Sequence, residues 1–160
     1  MGEFSPLLNF KNQKTKGEKK EMSVNQTSFK DEIKGYCKGI ACDVENYASG
    51  EVYKCPNCCE IIESPEDAIC PNCKEELSSN DQLSLYDYFE DALDIEYRVG
   101  SNKDYRSVCI MVTCGGPNVY IDTEDAKVKL YWGGDYSEYY IKRSTCNEID
   151  SIFEEMYKGY

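Results

Sequence analysis

Histidine is missing from all 160 residues of this sequence, and basic residues are scarce beside acidic ones. Without histidine, the chain lacks the side chain that most often acts as a general base at neutral pH. With 18 basic and 30 acidic residues, the formal net charge is −12, so most of the surface would repel a nucleic-acid backbone. These absences argue against an enzyme and against direct nucleic-acid binding, and they favour a protein partner with a basic surface.

Long hydrophobic runs are also missing. No stretch approaches the roughly 20 apolar residues that a membrane-spanning helix needs, and the amino terminus has no signal-peptide core. We therefore expect no membrane association and a cytoplasmic location. In that reducing compartment, the paired spacing among the ten cysteines indicates metal binding in preference to disulfides.

The sequence does contain two copies of Cys-Pro-Asn-Cys, within "KCPNCCEIIESPEDAICPNCK" (residues 54–74). Cys55 and Cys58 form one pair and Cys70 and Cys73 the other, and each Cys-x-x-Cys turn points two sulfurs to one side. Four thiolates suit Zn²⁺ in a tetrahedral site, with iron in the same geometry as the rival ion. Such a closed site keeps no position for a catalytic water, so the metal is predicted to stabilise the fold.

The other cysteines are interpreted as ordinary thiols. Cys59 directly follows the first pair, where glycine often sits, and a swapped ligand is the alternative there. The rest fall on predicted helices or strands, where a buried small hydrophobic side chain is the expected role. These are Cys37, Cys42, Cys109, Cys114 and Cys146.

The main alternative function is a zinc-ribbon accessory protein that touches nucleic acid or a transcription complex. Between Cys58 and Cys70 the module carries four acidic residues and no basic one. A DNA-reading ribbon would carry basic residues there. This alternative therefore depends on the lysine-rich segment at residues 11–26.

Two further motifs bear on enzymatic activity. The glycine-rich "TCGGPN" lacks the Gly-Lys-Ser/Thr of a phosphate-binding loop and lies between two predicted strands, so it is interpreted as a turn. Asp122, Glu124 and Asp125 are expected to form a solvated turn instead of a tuned carboxylate pair. Neither motif supports a catalytic site, and the chain is predicted not to be an enzyme.

Composition divides the chain into four segments. Residues 1–27 form a lysine-rich arm with little to bury, which we expect to be flexible. Residues 28–50 comprise a helix, predicted over 28–46 from apolar residues at three- and four-residue steps, and a linker. Residues 51–80 contain the Cys₄ module, and residues 81–160 form an α+β domain.

The last segment changes its hydrophobic period along its length. A short amphipathic helix is predicted over residues 82–95, capped by Asn80 or Asp81. A two-residue period then predicts strands separated by turns at "GGPN", "EDAK" and "GGD", and a capped helix closes the chain over residues 144–157. The expected fold class is α+β: an antiparallel sheet of four or five strands flanked by helices, with an N-terminal helix and a Cys₄ zinc-ribbon-like module.

Aromatic and acidic residues mix in "KLYWGGDYSEYYIK" (residues 129–142). A strand buries only one face, so its tyrosines cannot all be core, and tyrosine beside carboxylates is typical of a protein-binding surface. An ordinary tyrosine cover on a sheet is the alternative. The acidic face of "YDYFEDALD" (residues 86–94) is a second candidate surface. The candidate partner-binding residues are Tyr131, Asp135, Tyr136, Glu138, Tyr139 and Tyr140.

Together with the two "CPNC" motifs, "LYDYFEDALDIEYRV", "CGGPNVYIDT" and "VKLYWGGDYSEYYI" resemble the zinc-containing anti-CRISPR proteins directed at type II-A Cas9, which mobile elements of Firmicutes carry. The resemblance spans roughly residues 55–160. It implies a non-enzymatic inhibitor in the bacterial host cytosol that docks on a positively charged face of Cas9 and blocks loading of guide or target nucleic acid. It carries over only Cys55, Cys58, Cys70 and Cys73, as metal ligands.

Overall fold

The computed structural model describes residues 24–159, with side chains from Phe29 onward. Most of the predicted arm (residues 1–27) therefore lies outside the described residues. Helix α1 spans Val24–Ser49, longer at both ends than the predicted 28–46. It ends at Gly50, whose φ of +71° lets the backbone N–H of Glu51 donate to the Asn46 carbonyl over 3.0 Å.

The cysteine module follows α1 directly. Strands β1 (Val52–Lys54) and β2 (Ile61–Glu63) pair antiparallel and are joined by the first Cys-Pro-Asn-Cys turn. The second such turn is closed by an antiparallel bridge between Ile69 and Glu76. The module has a small core of its own, which consists of the buried residues Cys55, Ile62, Cys70 and Leu77.

The rest of the chain forms a five-stranded antiparallel sheet in which sequence order and spatial order agree. This confirms the predicted fold class, and the sheet has five strands where four or five were predicted. The strands are β3 (Asp94–Val99), β4 (Tyr105–Thr113), β5 (Asn118–Asp122), β6 (Lys127–Trp132) and β7 (Asp135–Tyr140). Alternating strand residues point to opposite faces, so each strand contributes one set of side chains to the core and one to the other face.

One face of the sheet is covered by helices. Helix α1 packs on β6 and β7, and helix α3 (Arg143–Lys158) packs on β4. Between these layers lies the main core, which includes Val44 of α1, Ile110 and Leu130 of the sheet and Phe153 of α3. Among the described helices, none is long and apolar enough to cross a membrane.

The predicted helix over residues 82–95 is only one turn long. Helix α2 spans Leu85–Tyr88 and follows Ser84, which forms a capping box with Asp87: the backbone N–H of Ser84 donates to the Asp87 carboxylate over 2.7 Å. The helix stops because residues 94–95 pair with β4 and become the start of β3. The predicted cap was also wrong: Asp81 closes a separate 3₁₀ turn with Ser78.

The closing helix is where the sequence predicts it, but its cap is different. Lys142 precedes α3 and makes no side-chain cap, and Ser144 lies inside the first turn. The backbone N–H of Lys142 instead donates to Glu45 of α1 over 2.9 Å, and the two side chains form an ion pair. A tertiary contact therefore replaces the local capping box.

Candidate metal centre and partner surface

The two Cys-Pro-Asn-Cys turns share one backbone geometry. In the first, Cys55 donates its N–H to the Glu60 carbonyl and accepts a hydrogen bond from the N–H of Cys59, both over 2.9 Å. In the second, the equivalent residues are Cys70, Glu75 and Lys74, at 2.8 and 2.9 Å. Cys59 and Lys74 also occupy equivalent left-handed positions, with φ of 60° and 64°. Each turn is therefore shaped by its own backbone, which aims both of its sulfurs at the other turn.

The four predicted ligand residues meet in one cluster. The Sγ atoms of Cys55 and Cys73 lie 3.4 Å apart, those of Cys58 and Cys70 lie 3.6 Å apart, and all four lie within 4.8 Å of one another. A tetrahedral site with metal–sulfur distances of about 2.3 Å places its sulfurs about 3.8 Å apart. The spacing and the all-sulfur donor set fit a bound metal ion, so these four cysteines can hold one.

The thiols of this cluster ionise unequally. A hydrogen bond from the backbone N–H of Cys73 lowers the pKa of Cys70 to about 7, although burial opposes the change. At Cys58, the N–H of Glu60 lowers the pKa, but burial and the other three thiols outweigh it and raise the pKa to about 12. A metal that binds the cluster would displace the protons that the thiols still carry.

The remaining cysteines only partly match their predicted burial. Cys37 and Cys146 are fully buried in the main core, as expected. The expectation was wrong for Cys42, which lies on the exposed side of α1, and for Cys114, which is exposed just after the last residue of β4. Cys59 is exposed and does not belong to the sulfur cluster.

The predicted partner surface divides between the two faces of the sheet. Tyr131, Tyr136 and Tyr140 belong to the face opposite the helices and are 47%, 48% and 67% exposed. Tyr139 belongs to the helix-covered face and packs against the core. Asp135 lies on the same helix-covered face, because it pairs with Trp132, which also packs against the core. The strand register, which the sequence did not reveal, places these candidate residues on two different faces.

We call the sheet face opposite the helices the open face. Two ring contacts join its tyrosines: the rings of Tyr120 and Tyr131 are 5.9 Å apart, and those of Tyr131 and Tyr136 are 4.9 Å apart. The Tyr136 hydroxyl donates to Glu138 over 2.6 Å, and Glu138 also pairs with Lys127. These contacts hold the exposed rings in place, so the open face presents an ordered aromatic patch. A binding role for it stays a prediction.

Asp122 is a charged residue whose environment the sequence predicted wrongly. It was expected in a solvated turn, but it is 1% exposed on the open face. Burial raises its pKa, whereas hydrogen bonds from Arg98 and Lys129, each 2.8 Å long, outweigh that effect and hold the pKa well below its usual range. Arg98 comes from β3 and Asp122 from β5, so sequence spacing carried no sign of the ion pair. The only local sign was the position of Asp122 at the end of an apolar strand.

Comparison with known proteins found no matching family model, no matching curated protein and no matching solved structure. The resemblance to anti-CRISPR proteins therefore stays a prediction.

Proposed function

We propose that this chain is a non-enzymatic zinc protein that binds and inhibits a basic nucleic-acid-handling protein, a type II-A Cas9 in the cytosol of its bacterial host. The observation that carries the proposal is the combination of a closed four-cysteine cluster with a net charge of −12. A closed cluster suits a structural role instead of a catalytic one. A strongly acidic chain is attracted to a basic groove, including one that normally holds nucleic acid.

Zinc is the metal that we propose for the cluster, held by Cys55, Cys58, Cys70 and Cys73. When bound, the ion would supply folding free energy to a segment that has very little apolar core. Iron suits the same four-sulfur geometry, so the two ions need to be separated by experiment. Elemental analysis of the purified protein is expected to find one zinc per chain; one iron per chain would reject the zinc assignment.

The open face is the surface that we propose for partner contact. Its exposed tyrosines are of the type enriched at protein interfaces, since a ring buries much area and its hydroxyl can still bond a polar group. The ring contacts of Tyr131 with Tyr120 and Tyr136 order the patch before binding, which reduces the entropy lost in docking. Acidity elsewhere on the chain would speed encounter, and the tyrosines would set the dissociation rate.

An order-of-addition cleavage assay tests the function. The metal-loaded protein is added to a type II-A Cas9 before guide RNA, after guide RNA, or after target DNA, at low and high salt. We expect inhibition that is lost once target DNA is bound, and that weakens at high salt because the encounter is electrostatic. Complete cleavage in every order would reject Cas9 as the partner.

Two variants locate the surface in the same assay. Replacing Tyr131 and Tyr136 with alanine is expected to weaken inhibition roughly tenfold or more, since two interface tyrosines are removed. Met156→Ala is the control, because Met156 is 36% exposed but lies on α3, outside both candidate surfaces. An equal loss in both variants would reject the open face as the docking surface.

A chain without residues 1–23 separates this proposal from the nucleic-acid alternative. If the lysine-rich segment supplied direct contact with DNA or RNA, its removal would abolish binding in a gel-shift assay. We expect no binding of free DNA or RNA by either chain and undiminished inhibition by the shortened one. Gel-shift binding that disappears with the segment would favour the zinc-ribbon accessory protein.

A further inference from the structure

A cavity of about 460 Å³ lies where the cysteine module meets the α+β domain. Helix α1 forms one wall with Gly35, Gly39 and Asp43, and β2 of the module contributes Glu63. The remaining lining comes from the region of α2 and from the end of β4. The cavity therefore depends on both parts of the molecule being folded together.

Neither close packing nor backbone conformation requires glycine at the two positions on this wall. A Cβ atom at Gly35 or at Gly39 would meet no atom within 4 Å, and neither residue has a positive φ. Glycine inside a helix is destabilising relative to alanine, so these positions weaken α1 without relieving any clash. They lie four residues apart on one face of the helix. Because neither has a side chain, the space beside them stays open as part of the cavity.

The charge around the cavity has one sign. Asp43, Glu63 and Asp91 line it, and no lysine or arginine does. Asp43 is only partly exposed, and among the residues that the structure describes it has no hydrogen-bond or ion-pair partner. Burial and repulsion from Glu63 raise the pKa of Asp43 to about 6. A cation entering the cavity would therefore relieve an unfavourable interaction that the protein otherwise retains.

Two aromatic side chains complete the lining. Tyr36 and Tyr88 line the same cavity as Asp43, and burial together with the charge of Asp43 raises the pKa of each hydroxyl. Tyr88 is fixed by edge-on ring contacts with Tyr47 at 5.0 Å and with Phe89 at 5.1 Å. Aromatic rings beside carboxylates suit a planar guanidinium, which stacks on a ring and donates two parallel N–H hydrogen bonds to a carboxylate.

We propose that this cavity is a docking site for an arginine side chain of a protein partner, with Asp43 and Glu63 facing the guanidinium and the rings of Tyr36 and Tyr88 beside it. The proposal deepens the proposed function and rests on its premise of a basic protein partner. It commits to arginine because a lysine ammonium is a point charge that gains less from a flat aromatic wall. It also places a specific contact on the helix-covered side of the molecule, apart from the open face.

The test is a titration that does not depend on Cas9. The metal-loaded full chain, labelled with ¹⁵N, is titrated with N-acetyl-argininamide and, separately, with the neutral isostere N-acetyl-citrullinamide. We expect the backbone amide signals of Gly35 and Gly39 to shift and saturate with the arginine compound, at a dissociation constant on the order of 1 mM for so small a ligand. The citrulline compound is expected to bind at least roughly tenfold more weakly.

Three variants assign the effect to the cavity. Asp43→Asn removes the charge and Gly39→Leu fills the space, and each should weaken binding at least roughly tenfold. Glu148→Gln, an exposed change on α3, lowers the acidic charge equally and should leave binding unchanged. The dispersed amide spectrum of each variant reports whether the fold is retained, and Asp43→Asn keeps the test decisive if Gly39→Leu does not fold.

Several results would overturn the proposal. Equal binding of the citrulline compound, an equal loss in Glu148→Gln, or shifts that avoid Gly35 and Gly39 would each reject the cavity as a cation site. Tighter binding of N-acetyl-lysinamide would reject arginine as the preferred residue. The proposed function fails independently: saturable shifts with no block of Cas9 would leave the cavity intact and remove that partner.

Discussion

The cysteine module and the five-stranded domain maintain their folds by different means. Among the described residues, the main core contains 18 buried residues from three helices, three strands and the loops between them, whereas the module core contains four, of which Cys55 and Cys70 belong to the sulfur cluster. A segment of the module's size buries too little apolar surface to fold on its own. The comparison indicates that the domain is stable by packing, and it supports the proposal that the module needs a bound metal. Because Glu63 of the module lines the cavity, metal binding would also organise one wall of that site.

The largest expected effect comes from breaking the sulfur cluster. Replacing Cys55 and Cys70 with serine should release the metal and unfold the module, since metal binding supplies on the order of 10 to 16 kcal/mol in small zinc modules. The sheet domain should keep its dispersed amide signals. Metal content and limited proteolysis within residues 55–77 measure the outcome.

Cys59→Ser is the control for that experiment, because Cys59 is exposed and lies outside the cluster. Its metal content and melting temperature should equal those of the unmodified chain. If the Cys55 and Cys70 double variant behaved in the same way, the structural role of the cluster would be rejected.

The next largest loss of stability is expected from a core substitution in the domain, which should leave the module intact. Phe153 is 1% exposed and its ring lies 5.5 Å from that of Phe89, so Phe153→Ala should lower the free energy of unfolding of the domain by about 3 to 5 kcal/mol. Metal stoichiometry should not change. Met156→Ala, at a 36% exposed position of the same helix, is the control and should cost far less. Loss of metal in Phe153→Ala would show that the module cannot fold apart from the domain.

A third test concerns the ion pair of Arg98 with the buried Asp122 on the open face. Arg98→Met removes two of the hydrogen bonds to Asp122 and leaves Lys129, so we expect a loss of about 1 to 3 kcal/mol at neutral pH. The folded-state pKa of Asp122 is depressed, so its stabilisation is present above the ordinary pKa of about 4 and is lost as pH falls below it. Urea unfolding from neutral to acidic pH should therefore show a smaller acid loss in Arg98→Met. If Arg98→Met lost as much stability in acid as the unmodified chain, the acid loss could not be assigned to the ion pair of Asp122.

The Asp43 carboxylate in the cavity predicts a pH dependence of stability opposite to that of Asp122. The pKa of Asp43 is raised in the folded protein to about 6, so the carboxylate destabilises the fold increasingly as pH rises from about 4 to about 6. Asp43→Asn should therefore stabilise the chain at pH 7 by about 1 kcal/mol, a value reduced for solvent screening, and should have little effect near pH 4. Glu63 and Asp91 line the cavity beside it, and Glu63 contributes to the raised pKa. A destabilised variant at pH 7 would contradict the unpaired state of Asp43.

The smallest effect concerns the helix wall of the cavity. Gly39→Ala should stabilise α1 by at most about 1 kcal/mol, since the added Cβ meets no atom within 4 Å and alanine favours the helix. Gly50→Ala is the matched contrast, because Gly50 has a φ of +71° and its Cβ would lie 2.7 Å from the Gln82 side chain. Melting temperatures should move in opposite directions. A fall in both would show that Gly39 has a packing role.

Local spacing explains why some features could be predicted. The two Cys-Pro-Asn-Cys turns are built by hydrogen bonds within six residues of each, so the sequence alone indicates where the sulfurs point. The strands of the sheet and helix α3 also follow from period and turn residues, with errors of a few positions at their ends. The prediction for α2 failed because pairing of Asp94 with Met111 outweighed the local helical pattern.

The sequence by itself determined the α+β class, the acidic charge and the four candidate ligands, because periodicity, composition and short-range turn geometry are properties of neighbouring residues. Tertiary structure alone decided which tyrosines share the open face, that Asp122 is buried against Arg98, and that Asp43 faces an aromatic cavity. Those outcomes depend on strand register and on the packing of segments distant in sequence. A one-residue change of register would exchange the two faces of a strand, and no local pattern records that choice.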